Sequence, residues 1–575
     1  MSAEERAEID AYHAALAHDL LQTTHLSMWE AVRRSVEHMP DHPAIVFLDR
    51  ALTYREMGAA VLRCARQLAD RGVGKGTRVA LMFHPCPEWT ILHYALARLG
   101  AVAVPINLGY ESAEIAHVLE LGKPEMLISV DQFRGADQLR KFRDIDAAFG
   151  SGAHGVPAAP ELRDVIFLQV DPDASVSRDS AHRAVYGPSD GAQLSPQSGV
   201  AGGDPAYILF TSGSTAAPKP ALCAHRQYTG GATGIIHALG LRPGDRFLAA
   251  NPTFHTGGIL WDATLLHMAG MTAYMIGAWE PGLALREIER HRITVLGAFD
   301  TKMTKMMATP EWGSCDISSL RVANIGATPS FLEKVAKSWP YEFSAQIYGS
   351  TESGGMGSIT PRPQRDPEVR RQANGMPVPG MEFVILDPET GERIPPGEYG
   401  EICFRGWGRF IEYVGQPEQT RASIDGQGFF HSGDYGFMDA DGNLYFRGRY
   451  KMMIKTGGEN VAEREVEIFL ENQLEQVRFA QVVGVPDEVW GEAVCAFVEL
   501  EPGADANAAK LRGGCKGRIS GFKIPRHFLF VEDGEWPLLD SGRPDKHRLR
   551  ERAAASVAAD VKESVVQARV DLPGA

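Results

Sequence analysis

The sequence predicts a doubly wound α/β fold that gives way to a small β-rich unit and then to a compact α+β unit. Three observations predict it. Short apolar runs such as Val79–Phe83 and Ala101–Ile106 alternate with segments of helical spacing such as Arg55–Arg71 and Trp89–Leu99. That alternation suits buried parallel strands joined by helices. From Gly380 to Tyr413 the pattern shifts to short strands and turns, and beyond Lys451 strands and helices mix again.

Taken in order, residues 1–40 read as helical and mostly polar, and Ala44–Tyr54 as two short strands around a turn. The helix over Arg55–Arg71 places Met57, Ala60, Leu62 and Leu68 at helical spacing. Met126–Ser129 and Val165–Val170 continue the strand series. Residues 171–204 are rich in Asp, Ser, Gly, Ala and Pro without a period, which predicts a long surface connection. Helices and short strands then alternate to about residue 365. Glu382–Leu386 and Gly400–Phe404 supply the strands of the β-rich unit. Asn443–Phe446, Ala480–Val485 and Val494–Leu500 read as later strands, and the Ala-rich end as a helix that frays.

A chain of 575 residues exceeds one ordinary domain. Its composition, 44% hydrophobic and 23% charged, is that of a globular protein with a large core. The net charge of −15 argues against nucleic acid or an anionic membrane as main partner. Seven scattered cysteines with no CxxC pair give no zinc signature and suit a reducing cytoplasm. The acidic start MSAEERAEID is not a signal peptide, and no apolar run is long enough to span a bilayer.

The stretch that orders the rest is Tyr207–Arg226, YILFTSGSTAAPKPALCAHR. Four apolar or aromatic residues, Tyr207 to Phe210, read as a buried strand. Thr211, Ser212, Gly213, Ser214 and Thr215 follow, and Lys219 comes four residues later. Backbone N–H groups, hydroxyls and a lysine arranged in this way cradle phosphate. The string is not the Walker loop, and TSGST alone fits an ordinary turn equally well.

The whole string resembles the phosphate loop of the adenylate-forming superfamily, which holds the acyl-CoA ligases, peptide-synthetase adenylation domains and luciferases. Further motifs follow in that family's order: PTFHTGG (252–258), GATPS (326–330), YGSTE (348–352), GEICFRG (400–406), FFHSGDYG (429–436), GRYKMMIKTGGENV (448–461), GFKIPR (521–526) and SGRPDK (541–546). The resemblance covers residues 28–552. It implies a large N-terminal domain, residues 1–448, of two doubly wound halves and a small β-barrel-like subdomain. A small mobile α+β C-terminal domain, residues 449–575, would swing about a hinge near 449–453. It further implies a cytoplasmic enzyme using ATP or AMP (as acyl-AMP), CoA and Mg2+ on a hydrophobic carboxylic acid.

Site residues follow from the matched motifs. Glu352 would hold Mg2+ on the nucleotide phosphates, since Mg2+ favours one or two carboxylates plus phosphate oxygens; a glutamate at a helix start is the plainer reading. Asp434 and Arg449 would meet the ribose, or else be a turn aspartate and a solvated charge. Gly326, Ala327 and Thr328 would lie against adenine, with Tyr348, Gly349, Ser350 and Thr351 beside them; Tyr348 equally suits the core. His255, Phe254, Trp261, Ala298, Phe299 and Gly349 would line the acyl pocket, with His255 close to the reacting groups. Lys455, Gly457, Gly458 and Glu459 would border the pantetheine path, where glycines let the backbone approach a thin ligand. Lys516, Arg518 and Lys523 would meet CoA phosphates or form a solvated basic face.

The sequence also departs from the family. Its adenylation lysine in SGK is Arg543 here, with Lys546 three residues on as a substitute. Arginine is a planar fork and lysine a point charge, and a misplacement of about 1 Å can cost on the order of 100-fold in rate. Two phosphate-loop glycines are Ala216 and Pro220. Where such a glycine supplied a positive φ, alanine costs roughly 1–2 kcal/mol, and proline removes an N–H. The hinge aspartate is Met452. The expectation is therefore an acyl-CoA ligase homologue with adenylation weak or lost and transfer from acyl-AMP to CoA retained, served by a separate adenylating enzyme. The alternatives are a complete ligase, a non-catalytic acyl- or nucleotide-binding homologue, and a loader of a separate carrier protein.

Overall fold

The computed structural model describes residues 1–150, 159–170, 176–187, 198–211, 218–326, 329–449, 453–456, 459–487, 490–516, 518–519, 521–532, 534–539 and 544–557. Two seven-stranded sheets form the large domain. The first runs Phe343–Ala345, Val322–Gly326, Val295–Phe299, Arg246–Ala249, Thr272–Met275, Pro43–Phe47 and Arg50–Thr53. The second runs Glu412–Tyr413, Lys219–Ala224, Pro205–Thr211, Val102–Pro105, Arg78–Met82, Met126–Val130 and Asp164–Leu168.

The two halves are interleaved in sequence. Pro43–Phe47 joins the first sheet by pairing parallel to Thr272–Met275, with Ile45 opposite Ala273. The chain then builds most of the second sheet before it returns to complete the first. Local chemistry marks the boundaries. Thr53 and Glu56 exchange side-chain and backbone hydrogen bonds as a capping box that starts the helix Tyr54–Asp70. Gly100, at φ 70°, ends the helix Pro87–Leu99.

Helices Pro87–Leu99 and His225–Leu239 are buried almost throughout, as expected of helices held between layers. One apolar cluster contains Trp89, Leu92 and Tyr94 together with Tyr207 and Tyr228 and with Phe47 and Ala273 of the first sheet. Within it, Tyr94 Oη lies 2.9 Å from His267 Nδ1, and Tyr207 Oη lies 2.5 Å from His93 Nδ1.

The β-rich unit has a four-stranded antiparallel sheet, Met381–Leu386, Gly400–Gly406, Phe430–Met438 and Leu444–Arg449. A three-stranded sheet, Ile347–Tyr348, Ser358–Ile359 and Met376–Pro377, lies before it in the chain. After Arg449 the described strands belong to a separate sheet, in which Val477–Asp487 and Gly491–Leu500 form the long central hairpin. Helix Glu463–Gln473 packs on it through Val466 and Leu470.

The connection over 171–204 differs from the reading given above. It holds a short helix, Ser180–Tyr186, started by Asp179, whose side chain accepts from His182 N. Tyr186 donates to the Glu88 carbonyl at 3.1 Å. Seven residues are too few for a helical period to show in sequence.

Candidate active site

Strand Pro205–Thr211 turns back antiparallel into Lys219–Ala224, with Lys219 opposite Thr211. Ser212, Gly213, Ser214, Thr215 and Ala216 fall outside the described residues. Pro220 lies in the second strand, beyond the loop, and the Val414 N–H donates to its carbonyl at 2.8 Å. The N and C=O of a strand residue face the same neighbour. Its missing N–H therefore points at the two-residue edge strand Glu412–Tyr413, where a proline is tolerated. This corrects the expectation that Pro220 damages the phosphate loop.

Tyr413 on that edge strand joins two candidates. Its hydroxyl donates to Glu352 Oε1 at 2.8 Å, and the Lys219 ammonium stands 5.3 Å from its ring centroid. Burial, reinforced by the Glu352 charge, raises the phenol pKa, so it stays a donor. Glu352 sits in the turn Thr351–Ser353, and its carbonyl accepts from Phe410 N at 2.7 Å. Lysine, phenol and carboxylate thus meet where two loops converge.

Asp434 lies opposite Arg449 in the four-stranded sheet. It is 5% exposed. Its Oδ2 accepts from Tyr348 Oη at 2.6 Å and its Oδ1 from Arg449 Nε at 3.0 Å. Burial raises its pKa, outweighing the arginine. The Tyr348 ring packs among Phe383 and Phe446, both at 5.9 Å. Gly349 follows directly, and a Cβ there would lie 2.4 Å from the Gly355 backbone. The absence of a side chain at Gly349 therefore has a packing cause besides any ligand. Ser350 Oγ is buried without a hydrogen-bond partner.

Gly326 ends its strand in register with Phe299, and Ala298 is opposite Ile325. These are the carboxyl ends of neighbouring parallel strands, where doubly wound folds bind ligands. Ala327 and Thr328 lie outside the described residues, and the side chains of Ala298 and Phe299 are not among those described. Trp261 is buried, stacked on Phe247 at 6.3 Å in a π-helical turn. His255 is exposed at the start of that helix, with its ring 6.0 Å from that of Phe254.

Sequence reading missed a polar network beside this turn. Both oxygens of buried Asp262 accept from Asn251, and Lys302 Nζ donates to Asn251 Oδ1 at 3.0 Å. Burial lifts the Asp262 pKa to about 7. It missed Tyr413 as well. A polar residue among apolar ones, as at Asp262, was the available signal; a lone tyrosine on a two-residue strand offers none.

In the C-terminal unit, Lys455 and Glu459 lie on paired strands, with Thr456 opposite Glu459. Gly457, Gly458, Arg543 and Met452 fall outside the described residues. Lys546 is bound within this unit. Its ammonium donates to Glu467 Oε1 and to the Val482 carbonyl, the latter at 2.6 Å, and pairs with Glu463 at 3.2 Å. Glu463 also accepts from Arg550 at 2.7 Å. Lys523 pairs with Glu465 at 2.6 Å. Arg518 donates to the Gln473 carbonyl at 2.9 Å at the end of helix Glu463–Gln473.

The family described as AMP-binding enzyme matches residues 32–414, and its C-terminal domain matches residues 465–543. The chain belongs to the AMP-binding enzyme family. It is similar to a 3-[(3aS,4S,7aS)-7a-methyl-1,5-dioxo-octahydro-1H-inden-4-yl]propanoyl:CoA ligase of Mycobacterium tuberculosis, 33% identical over 91% of this chain and 98% of that protein. It is also similar to the fatty acid–[acyl-carrier-protein] ligase ScoC of Streptomyces coeruleorubidus, 30% identical over 95% and 98%. Among solved structures, ATP-bound MatB from Rhodopseudomonas palustris superposes with a TM-score of 0.79 at 27% identity, over 92% of this chain and 99% of MatB. The protein is thus an acyl-CoA synthetase/ligase-family member of the adenylate-forming superfamily, with an α/β large domain and a small C-terminal domain. Among the described residues no helix is long and apolar enough to cross a membrane.

Proposed function

We propose that this AMP-binding enzyme transfers an acyl group from a hydrophobic acyl-AMP to CoA, and that its own adenylation step is weakened. One observation carries the reading. Lys546, the cation nearest in sequence to Arg543, is bound by Glu467, Glu463 and the Val482 carbonyl. Arg543 is then left to serve the transferring phosphoryl oxygens and the carboxylate alone. A guanidinium fork in place of an ammonium would carry that charge with a different shape and reach.

The pairing of Asp434 with Tyr348 and Arg449 supports the acyl-AMP half of the reading. Asp434, steadied by Tyr348 and Arg449, would accept from the ribose hydroxyls. Gly326, Ala327 and Thr328 would border adenine. Ser350, Thr351 and the hydroxyls Thr211, Ser212, Ser214 and Thr215, with Gly213 and Lys219, would face the phosphates. Glu352 offers a carboxylate of the kind Mg2+ takes together with phosphate oxygens, and Mg2+ would neutralise phosphate charge there. Phe254, His255, Trp261, Ala298, Phe299 and Gly349 would line the acyl site. Lys455, Gly457, Gly458 and Glu459 would border the thiol path. A separate adenylating enzyme would supply the acyl-AMP.

A second reading, the complete ATP-dependent ligase, draws on the Lys219–Tyr413–Glu352 arrangement, whose cation and carboxylate suit a magnesium-bound triphosphate. ATP–pyrophosphate exchange decides between them. Weak exchange that rises in Arg543→Lys supports the first reading. Brisk exchange in the natural protein, unchanged in the variant, supports the second.

A further inference from the structure

Strands Gly400–Gly406 and Phe430–Met438 are paired irregularly. Glu401 is opposite Tyr435 and Cys403 is opposite His431. Two steps on one strand thus span four on the other, and Ser432, Gly433 and Asp434 form a bulge. Gly433 takes a φ of 69° there. Bulges of this kind re-aim side chains, and this one presents Asp434.

At the base of the bulge three unlike donor atoms converge. His431 Nδ1 is 2.8 Å from Glu401 Oε2 and 3.5 Å from Cys403 Sγ, and all three donor atoms lie within 4.8 Å of one another. Glu401 and Cys403 share a face because they are two apart on one strand, and the register sets His431 across from them. We propose that Glu401, Cys403 and His431 bind a zinc-class divalent cation that staples this bulge.

The donor set selects the ion. Thiolate, imidazole and carboxylate together suit Zn2+, whereas Mg2+ and Ca2+ take oxygen. Three protein ligands leave the fourth tetrahedral corner to water. Cys403 is fully buried, while the His431 side chain is 30% exposed and opens the access. Ligand bonds of about 2.0–2.3 Å place donor atoms near the spacing seen, so shifts of about an ångström suffice.

Two of the ligands already have outer support. Glu401 Oε1 accepts from Gly433 N at 2.8 Å, which leaves Oε2 for the ion. Asp425 Oδ2 stands 3.8 Å from His431 Nε2. On binding, the Cys403 thiol releases its proton to water. The single N–H of the neutral His431 ring passes from Nδ1 to Nε2 through water, where it faces Asp425, the carboxylate–histidine–metal arrangement. Thiolate and Glu401 carboxylate together balance the charge of the ion.

The test uses full-length protein stripped with a chelator and titrated with Co2+ as the probe. One equivalent is expected to give a thiolate-to-cobalt charge-transfer band that Zn2+ then abolishes. Cys403→Ser is expected to lose the band, and Cys495→Ser to keep it. His431→Gln and Asp425→Asn are expected to weaken Co2+ binding on the order of 10–100-fold. Absence of the band in the natural protein, or its survival in Cys403→Ser, overturns the proposal. Should Cys403→Ser fail to fold, X-ray absorption of the Zn2+-loaded natural protein replaces it. One sulfur neighbour supports the site, and a shell of nitrogen and oxygen alone overturns it.

Discussion

The Tyr413 hydroxyl donates to Glu352 Oε1 at 2.8 Å while its ring lies 5.3 Å from the Lys219 ammonium. One side chain therefore joins a carboxylate from a turn and a cation from the start of a strand. Hydrogen bonds to charged groups contribute roughly 1.5–3 kcal/mol. Tyr413→Phe is expected to weaken MgATP binding about 10–100-fold, read by calorimetry. Transfer from synthetic acyl-AMP to CoA is expected to change little, because that step starts with pyrophosphate already gone.

Asp434 is held between Tyr348 and Arg449. Asp434→Ala removes the acceptor proposed for the ribose and leaves Tyr348 and Arg449 unmatched. Arg449 is 42% exposed and re-solvates, whereas the buried Tyr348 hydroxyl loses its acceptor at a cost of about 1–3 kcal/mol. AMP affinity is expected to fall at least about 10-fold, measured by equilibrium dialysis, with only that modest fall in stability. A collapse of stability with unaltered AMP affinity would make Asp434 a structural residue.

Gly349 has no room for a side chain, since a Cβ would stand 2.4 Å from Gly355 backbone atoms. Gly349→Ala is expected to cost about 1–3 kcal/mol through a forced backbone shift, read from urea denaturation. A neutral result would mean that the Tyr348–Gly355 turn adapts freely.

Burial holds three core histidines neutral. His93 and His267 are lowered to about 3 and His225 to about 4. Depressed values mean that the unfolded chain binds more protons as pH falls below about 6.5, so stability drops there. Asp262, raised to about 7, works in the opposite sense with one proton. From these four groups the net is a loss approaching two protons between about pH 6.5 and 5, on the order of 1.4 kcal/mol per proton per pH unit. Urea denaturation across that window is expected to show stability rising with pH; a flat profile would contradict the assignment.

Some of this was legible in the sequence and some was not. Val79–Phe83 and Met126–Ser129 read correctly as strands because parallel strands buried on both faces are continuous apolar runs. The motifs single out Asp434 and Arg449 together, and the structure sets them opposite each other. The pairing of Pro43–Phe47 with Thr272–Met275 could not be read, because register between segments over 200 residues apart has no local signature. Lys546 illustrates the same limit. Its spacing from Arg543 suggested a substitute cation, yet Glu463 and Glu467, about 80 residues earlier, bind it.

The two half-reactions are compared directly in one preparation. Thioester is quantified by mass spectrometry from acid, ATP, Mg2+ and CoA, and in parallel from synthetic acyl-AMP and CoA, across a panel of hydrophobic acids. Thioester is expected at a far higher rate from acyl-AMP than from acid and ATP. Comparable rates from both would contradict it and establish Arg543 as a competent replacement for the family lysine.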